Sequence, residues 1–177
     1  MIVIEDLDPV SRAFAQELLR GNRRLQRHAR AEPRPGGGSF LVLSVPSESE
    51  RGGHLVVDAG EGDRVRIEWG RFSMEFDTPP NGGRTSQLPD AISLVEDILA
   101  DDVVLYVHER DGRFRGCGTL LGEVDEVRLI GTLKSGDRVE VFSWLGEYDH
   151  VLRPADGETL QPPPRPKRPA AKGRTPR

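Results

Sequence analysis

The chain has 177 residues, a length that suits one domain with extensions at its ends. Hydrophobic residues make up 36% of it and charged residues 31%, and no apolar run approaches the roughly 18 residues that a membrane-spanning helix needs. The single cysteine excludes an intramolecular disulfide. We therefore expect a soluble cytoplasmic protein.

The formal net charge of −4 combines an acidic middle with basic ends. Residues 36–160 carry 12 basic and 24 acidic residues, whereas residues 1–35 carry an excess of two positive charges and residues 161–177 an excess of six. Net charge influences which partners a surface attracts. The body and the ends are therefore predicted to have different partners.

The N-terminal residues 1–32 are predicted to form an amphipathic, Arg-rich helix. Asp8 suits the N-cap position and Pro9 the first helical turn. An apolar stripe follows at Val10, Phe14, Leu18 and Leu25. The Pro/Gly-rich residues 33–39 are predicted to be a linker that leads to the main domain.

Two basic segments suggest contact with nucleic acid as an alternative to solvated, structureless charge. The first follows the apolar stripe, and the second is the proline-rich end of the chain, where we predict a disordered tail over residues 154–177. No aromatic residue lies between the arginines of the first segment to stack on bases, which favours the solvated interpretation. The candidate nucleic-acid-binding residues are Arg23, Arg24, Arg27, Arg165, Lys167, Arg168 and Lys172.

The main domain is predicted over residues 40–153, centred on the stretch RVRIEWGRFSMEFD at 64–77. Apolar residues alternate with polar ones in both halves of this stretch, which predicts two strands or one bent strand. The phase shifts at Gly70-Arg71, where a bulge or a tight turn is expected. The helical spacing of LPDAISLVEDILA, 88–100, predicts a helix that covers the apolar face.

Further short apolar runs predict additional strands on both sides of this helix. Asp111-Gly112 is a hairpin signal between two of them. Short connections favour antiparallel pairing, so we expect an α+β domain with a mainly antiparallel, strongly twisted sheet and one central helix packed on it. The predicted strands cover residues 40–45, 54–60, 103–109, 113–120, 126–131 and 137–146.

No catalytic or metal-ligating constellation is found in the sequence, and no cofactor is predicted. The four histidines fall on separate predicted elements, and Cys117 lies between glycines with no histidine near it in sequence. Glu68, Glu75 and Asp77 share the polar face of the central stretch. Paired carboxylates can act in acid–base chemistry, but a face open to water is the simpler interpretation of these three.

Aromatic residues provide the candidate anchors for a protein partner. Core packing is their commonest role, but aromatic residues are also enriched among the residues that dominate binding energy at interfaces. Trp144 and Tyr148 lie near the end of the strand predicted over 137–146 and flank Gly146. The predicted partner-binding residues are Glu68, Trp69, Glu75, Asp77, Trp144 and Tyr148.

The stretch "HLVVD…RVRIEWGRFSMEF…DAISLVEDILADDVVLYVHERDGRFRGCGTL", over 54–121, resembles small bacterial immunity-type proteins of polymorphic-toxin loci. The resemblance implies a protein that neutralises a cognate toxin by binding it. Many of these relatives have an H-x-H pair where this chain has Ser73 and Glu75, so no metal or catalytic role is carried over.

Together these observations predict a non-enzymatic protein-binding module, with an immunity protein as the specific hypothesis. It would bind a partner, such as a basic toxin, through an acidic sheet face. The alternatives are a nucleic-acid-associated protein and an enzyme that uses acidic residues on the sheet. Both a monomer and a homodimer are compatible with the sequence.

Overall fold

The computed structural model of the chain describes residues 2–35, 37–48, 53–60, 64–79, 86–120 and 123–154. The helices are α1 Pro9–Gly21, α2 Leu88–Leu99 and α3 Glu123–Ile130. The strands are β1 Ala29–Pro33, β2 Ser39–Pro46, β3 His54–Asp58, β4 Arg64–Trp69, β5 Phe72–Asp77, β6 Val104–Arg110, β7 Arg113–Leu120, β8 Asp137–Phe142 and β9 His150–Leu152. Apart from residue 154, the predicted disordered tail lies outside the described residues.

The first helix begins as predicted, with Asp8 as its N-cap and Pro9 in its first turn. The Asp8 carboxylate accepts hydrogen bonds from the backbone N–H groups of Val10 at 3.0 Å and Ser11 at 3.2 Å. These bonds satisfy two N–H groups that have no partner inside the helix. Helix α1 buries its apolar stripe in the main hydrophobic cluster through Val10, Phe14, Ala15, Leu18 and Leu19.

The predicted arrangement of residues 1–39 as one helix and a linker needs correction. Helix α1 ends at Gly21, a 3-10 turn follows over Arg23–His28, and β1 then pairs antiparallel with β2. The prediction missed β1 because its charged residues and its proline hide any apolar alternation, as is common at sheet edges. The N-terminal segment therefore shares the sheet and the core of the main domain.

Strands β1 to β5 form an antiparallel meander in which each strand pairs with its neighbour in sequence. The phase shift predicted at Gly70-Arg71 is a tight turn between β4 and β5, and Gly70 has a positive φ of 58°. Helices α1 and α2 pack on one face of this sheet. The buried side chains of that face are Leu41, Leu43, Val45, Leu55, Val57, Val65, Ile67, Trp69, Phe72 and Phe76.

The remaining strands form a separate four-stranded antiparallel sheet in the order β7-β6-β8-β9. The predicted hairpin turn joins β6 to β7, with positive φ values at Asp111 (51°) and Gly112 (72°) that match the twist of the flanking strands. Strand β6 begins with residues that are buried on both faces. Leu105 belongs to the main cluster, and its neighbour Val104 belongs to a second cluster on the opposite face.

The α+β class and the antiparallel pairing are confirmed, but the strands divide between two sheets where the sequence predicted one. The two sheets touch near Cys117, whose Sγ lies 3.6 Å from the backbone oxygen of Ser73 on β5. Large, strongly twisted sheets tend to split into two packed sheets because twist accumulates across them. The split buries β6 between the five-stranded sheet and the second cluster.

The predicted strand over 126–131 is wrong, because these residues belong largely to α3. The period-two pattern and the β-branched Val127 favoured a strand. In the helix Glu126 is fully buried, Leu129 and Ile130 pack against the second cluster, and Val127 is 57% exposed. The inward face of α3 includes the charged Glu126, so the sequence carried no apolar signal for that buried position.

None of the helices in the described part of the chain is both long and apolar enough to cross a membrane.

Candidate protein-binding surface

The five-stranded sheet has helices on one face and charged side chains on the other. On β4 and β5 the outward residues stand opposite each other across the strands, with Arg64 facing Asp77, Arg66 facing Glu75 and Glu68 facing Ser73. Residues directly opposite in an antiparallel pair are close enough to interact. The period-two pattern therefore places basic and acidic residues side by side.

These residues form ion pairs along the open face. Arg64 lies 3.1 Å from a carboxylate oxygen of Glu75 and 3.2 Å from one of Asp77. Arg66 lies 2.5 Å from Glu68. The predicted acidic face therefore needs correction: each of its three carboxylates has an arginine partner, because the pattern that aligned the acids also aligned Arg64 and Arg66.

On the same side of the sheet, at its other edge, Arg30 and Glu32 of β1 form another ion pair at 2.7 Å, and Val42 of the intervening β2 is buried. The side chains are substantially exposed, from 40% for Glu68 to 72% for Asp77. Exposed pairs of this kind contribute about 0–1 kcal/mol each, so they are easily exchanged for contacts with a partner. We call this surface the charged face: Arg30, Glu32, Arg64, Arg66, Glu68, Glu75 and Asp77.

The predicted aromatic anchors lie inside the protein. Trp69 is 4% exposed, and its ring centroid lies 5.5 Å from that of Trp144 and 6.2 Å from that of Phe142. Trp144 is also buried, and its backbone N–H donates a 2.6 Å hydrogen bond to Asp101. Both tryptophans therefore join the two sheets in the core, and neither is available to a partner on this surface.

Tyr148 is buried in a polar cluster beneath α3. Its hydroxyl lies 3.2 Å from a Glu126 carboxylate oxygen, and its ring packs edge-on against the His150 imidazole with the centroids 4.7 Å apart. His150 Nε2 lies 3.2 Å from the same Glu126 oxygen, and His150 Nδ1 lies 2.8 Å from the Tyr148 backbone oxygen. Both ring nitrogens of a charged His150 therefore have acceptors.

This environment changes the proton affinity of His150. Burial lowers the pKa of His150, but hydrogen bonds to Glu126 and to the Tyr148 carbonyl, with the charges of Glu126 and Asp149, outweigh it. The pKa of His150 therefore lies above its ordinary value. The charged imidazole is stabilised in the folded state relative to the unfolded state.

We expect the stabilising contribution of His150 to disappear as the solution becomes alkaline. Because the folded pKa is raised, the contribution is complete below the unfolded pKa of about 6.5 and is lost as pH rises through the folded value. Urea unfolding of the protein and of His150→Gln, followed by circular dichroism across this range, measures it. The difference in unfolding free energy between the two proteins should shrink toward alkaline pH; a constant difference would contradict the assignment.

Asp137 is at the centre of a second buried polar cluster, on β8. Its carboxylate accepts hydrogen bonds from Arg110 at 2.6 and 2.9 Å and from the Lys134 backbone N–H at 2.6 Å, and it lies 3.0 Å from His108 Nε2. The hydrogen bonds from Arg110 hold the pKa of Asp137 well below its ordinary range. With its acceptors occupied, Asp137 fixes β6 to β8, which the scattered positions of these residues in the sequence did not reveal.

A shallow cavity of about 330 Å³ lies between the C-terminal ends of α1 and α2. Another, of about 360 Å³, borders the Asp137 cluster and is lined by Ser135, Asp137 and Arg153 among others. In the part of the chain that the structure describes, no group of three or more histidine, cysteine or acidic residues is arranged to hold a metal ion.

The candidate nucleic-acid-binding residues are only partly described. Arg23, Arg24 and Arg27 are exposed on the 3-10 turn after α1, and Arg27 donates a 2.9 Å hydrogen bond to His28. The candidates in the tail, Arg165, Lys167, Arg168 and Lys172, lie outside the described residues.

Comparison with known proteins gave no match to any family model, any curated protein or any solved structure.

Proposed function

We propose that this protein is a non-enzymatic, cytoplasmic protein-binding module whose charged face contacts a protein partner. The observation that carries this proposal is the contrast between the two faces of the five-stranded sheet. One face packs against α1 and α2, while on the other β1, β4 and β5 present paired but exposed charges to solvent. Such charges favour partners with a complementary pattern and disfavour others.

A more specific proposal is that the partner is a toxin that this protein neutralises. The resemblance over 54–121 supports an immunity role, and the acidic excess of residues 36–160 supports a basic partner. Charge of opposite sign accelerates the encounter of two proteins, and the effect weakens as salt increases. Binding over the charged face would let partner groups replace the weak ion pairs at low cost.

Charge reversal on the charged face tests the proposal. We expect full-length protein to retain a partner from a lysate of its source cells, and Glu75→Arg/Asp77→Arg to retain at least about tenfold less, equivalent to about 1.4 kcal/mol. Both positions are exposed, so the thermal midpoint should change little. Inhibition of the retained partner's activity would identify an immunity role.

A matched variant controls for net charge. Glu5→Arg/Asp6→Arg makes the same charge change at exposed positions of a short 3-10 turn, Ile4–Asp6, that precedes α1, and this variant should retain the partner as the unmodified protein does. Equal retention by all three proteins would remove the charged face from the proposal. Retention of nucleic acid alone, lost on reversal of Arg23 and Arg24, would favour the nucleic-acid alternative.

A further inference from the structure

Phe114 on β7 is the only large aromatic residue that is exposed among the described residues, with half of its surface open to solvent. It lies between two exposed arginines, Arg113 and Arg115. The guanidinium carbon of Arg71, from the β4–β5 turn, lies 5.7 Å from the centre of the Phe114 ring. We call this surface the Arg-Phe corner: Arg71, Arg113, Phe114 and Arg115.

A β-bulge shapes the corner. His108 pairs with Gly116, but the next residue of β6, Glu109, pairs with Phe114, so Arg115 is the extra residue of β7. Bulges change the direction of side chains and increase local twist. The bulge directs Phe114 to the side of Glu109, where Arg71 lies across its ring.

Strand β7 is also an open edge. Among the described strands, it ends the four-stranded sheet and pairs only with β6. For residues 113–119, no backbone hydrogen bond to a described residue outside β6 is found. Next to the bulge, a side chain at Gly116 would meet nothing within 4 Å. Among the described residues, the backbone edge of 113–119 therefore has no partner other than β6.

Of the three arginines in the corner, Arg71 has a carboxylate partner among the described residues, whereas Arg113 and Arg115 have none. Glu109, only 11% exposed, pairs with both Arg71 and Arg138. No carboxylate among the described residues pairs with Arg113 or Arg115, although the body of the chain is strongly acidic. Among the described residues, these two arginines therefore have no carboxylate partner that would compete with carboxylates of another molecule.

We infer that the Arg-Phe corner and the open edge of β7 bind an extended, acidic polypeptide segment that carries apolar residues. The segment pairs its backbone with β7, its carboxylates meet Arg113 and Arg115, and an apolar side chain packs on Phe114. Strand addition to a sheet edge is an established mode of peptide recognition, and aromatic and arginine side chains commonly dominate the energy of interfaces. This inference is independent of the charged face.

Charge selects this occupant over two others. A second copy of the chain, paired edge to edge through β7, would bring arginines near arginines, and like charges at short range are unfavourable. Nucleic acid carries a charge at every nucleotide, so a strand long enough to bind would extend from the corner over the acidic body. A short acidic peptide avoids both conflicts.

Binding of a short peptide to the full-length chain tests the inference. The probe is a fluorescein-labelled peptide that alternates glutamate with valine, and the comparison is the same peptide with lysine in place of glutamate. Fluorescence anisotropy at about 0.15 M salt, where the Debye length is about 8 Å, measures both. We expect the glutamate peptide to bind more tightly, and to bind about tenfold more weakly to Phe114→Ala.

Charge reversal separates the corner from other basic segments. Arg113→Glu/Arg115→Glu should lose the glutamate peptide and bind the lysine peptide instead. The same charge change at Arg23/Arg24 or at Arg165/Arg168 should leave binding unchanged. Amide hydrogen exchange of residues 113–119 should slow when the glutamate peptide binds.

Three results would overturn the inference. The first is equal binding of the glutamate and lysine peptides. The second is loss of the glutamate peptide on reversal of Arg165/Arg168 rather than Arg113/Arg115. The third is that fluorescein-labelled oligothymidine binds to the Arg-Phe corner more tightly than the glutamate peptide does. That result would assign the surface to single-stranded nucleic acid.

Discussion

Replacement of Trp69 by alanine is expected to lower the free energy of unfolding by about 3–5 kcal/mol. The side chain is 4% exposed and contacts Trp144 and Phe142 across the junction of the two sheets. Its loss would leave a cavity in the place where the sheets meet, which neither sheet can fill without moving. The loss of stability should therefore affect both the five-stranded and the four-stranded sheet.

Urea unfolding followed by far-ultraviolet circular dichroism measures this effect. Phe114→Ala is the matched control, because it removes an exposed aromatic side chain and should change stability by only about 0.5 kcal/mol. A loss below about 1 kcal/mol for Trp69→Ala would show that the ring does not join the sheets. Such a result would return Trp69 to the set of candidate surface anchors.

Replacement of Phe14 by alanine is expected to have an effect of similar size, about 3–5 kcal/mol. Phe14 is fully buried and packs α1 into the main cluster, together with Leu18 and Leu19. The helix is also held by Ser11, whose hydroxyl accepts a 3.0 Å hydrogen bond from the Leu41 backbone N–H of β2. Loss of the ring should thus destabilise the sheet as well as the helix.

Unfolding measured by circular dichroism and by tryptophan fluorescence should give coincident transitions for Phe14→Ala, since α1 shares one core with Trp69 and Trp144. Arg24→Ala, at an exposed position after the helix, should stay within about 0.5 kcal/mol of the unmodified protein. Separate transitions for helix and core would indicate that α1 folds independently.

Elements with a clear period were predictable from sequence. Helix α2 has helical spacing over three turns, and the β4–β5 hairpin has strict alternation on each side of its turn. In both cases one face is buried and the other exposed, so the spacing of apolar and polar residues along the chain indicates a helix or a strand directly. The cap of α1 was predictable because Asp8 acts on its immediate neighbours.

The missed elements depend on distant residues. Strand β1 is defined by its backbone pairing with β2, and α3 places Glu126 against Tyr148 and His150. Tertiary contacts of this kind override local propensity. The division of the strands into two sheets, and the strand order within each, were unpredictable for the same reason. The spacing of apolar residues does not show which strands are hydrogen-bonded to each other.

Of the predicted partner-binding residues, only the three acidic ones lie on the exposed surface. Alternation placed Glu68, Glu75 and Asp77 on one face, but their pairing with arginines requires the register of β4 and β5. Aromatic residues were assigned wrongly because a tryptophan in a strand has the same sequence signal at a surface and in a core. The exposed Phe114 has no sequence signal that distinguishes it from the buried Phe72.

Strand β6 begins with apolar residues that are buried on both faces, so hydrophobicity alone leaves its register ambiguous. A slip of one residue would exchange Val104 and Leu105 between the two cores while both stayed buried. The polar end of the strand removes this ambiguity, because Arg110 pairs with Asp137 on one face and Glu109 with Arg71 on the other. A slipped strand would separate Arg110 from Asp137 and Glu109 from Arg71, and the two buried carboxylates would lose these partners, so the ion pairs specify the register of the strand.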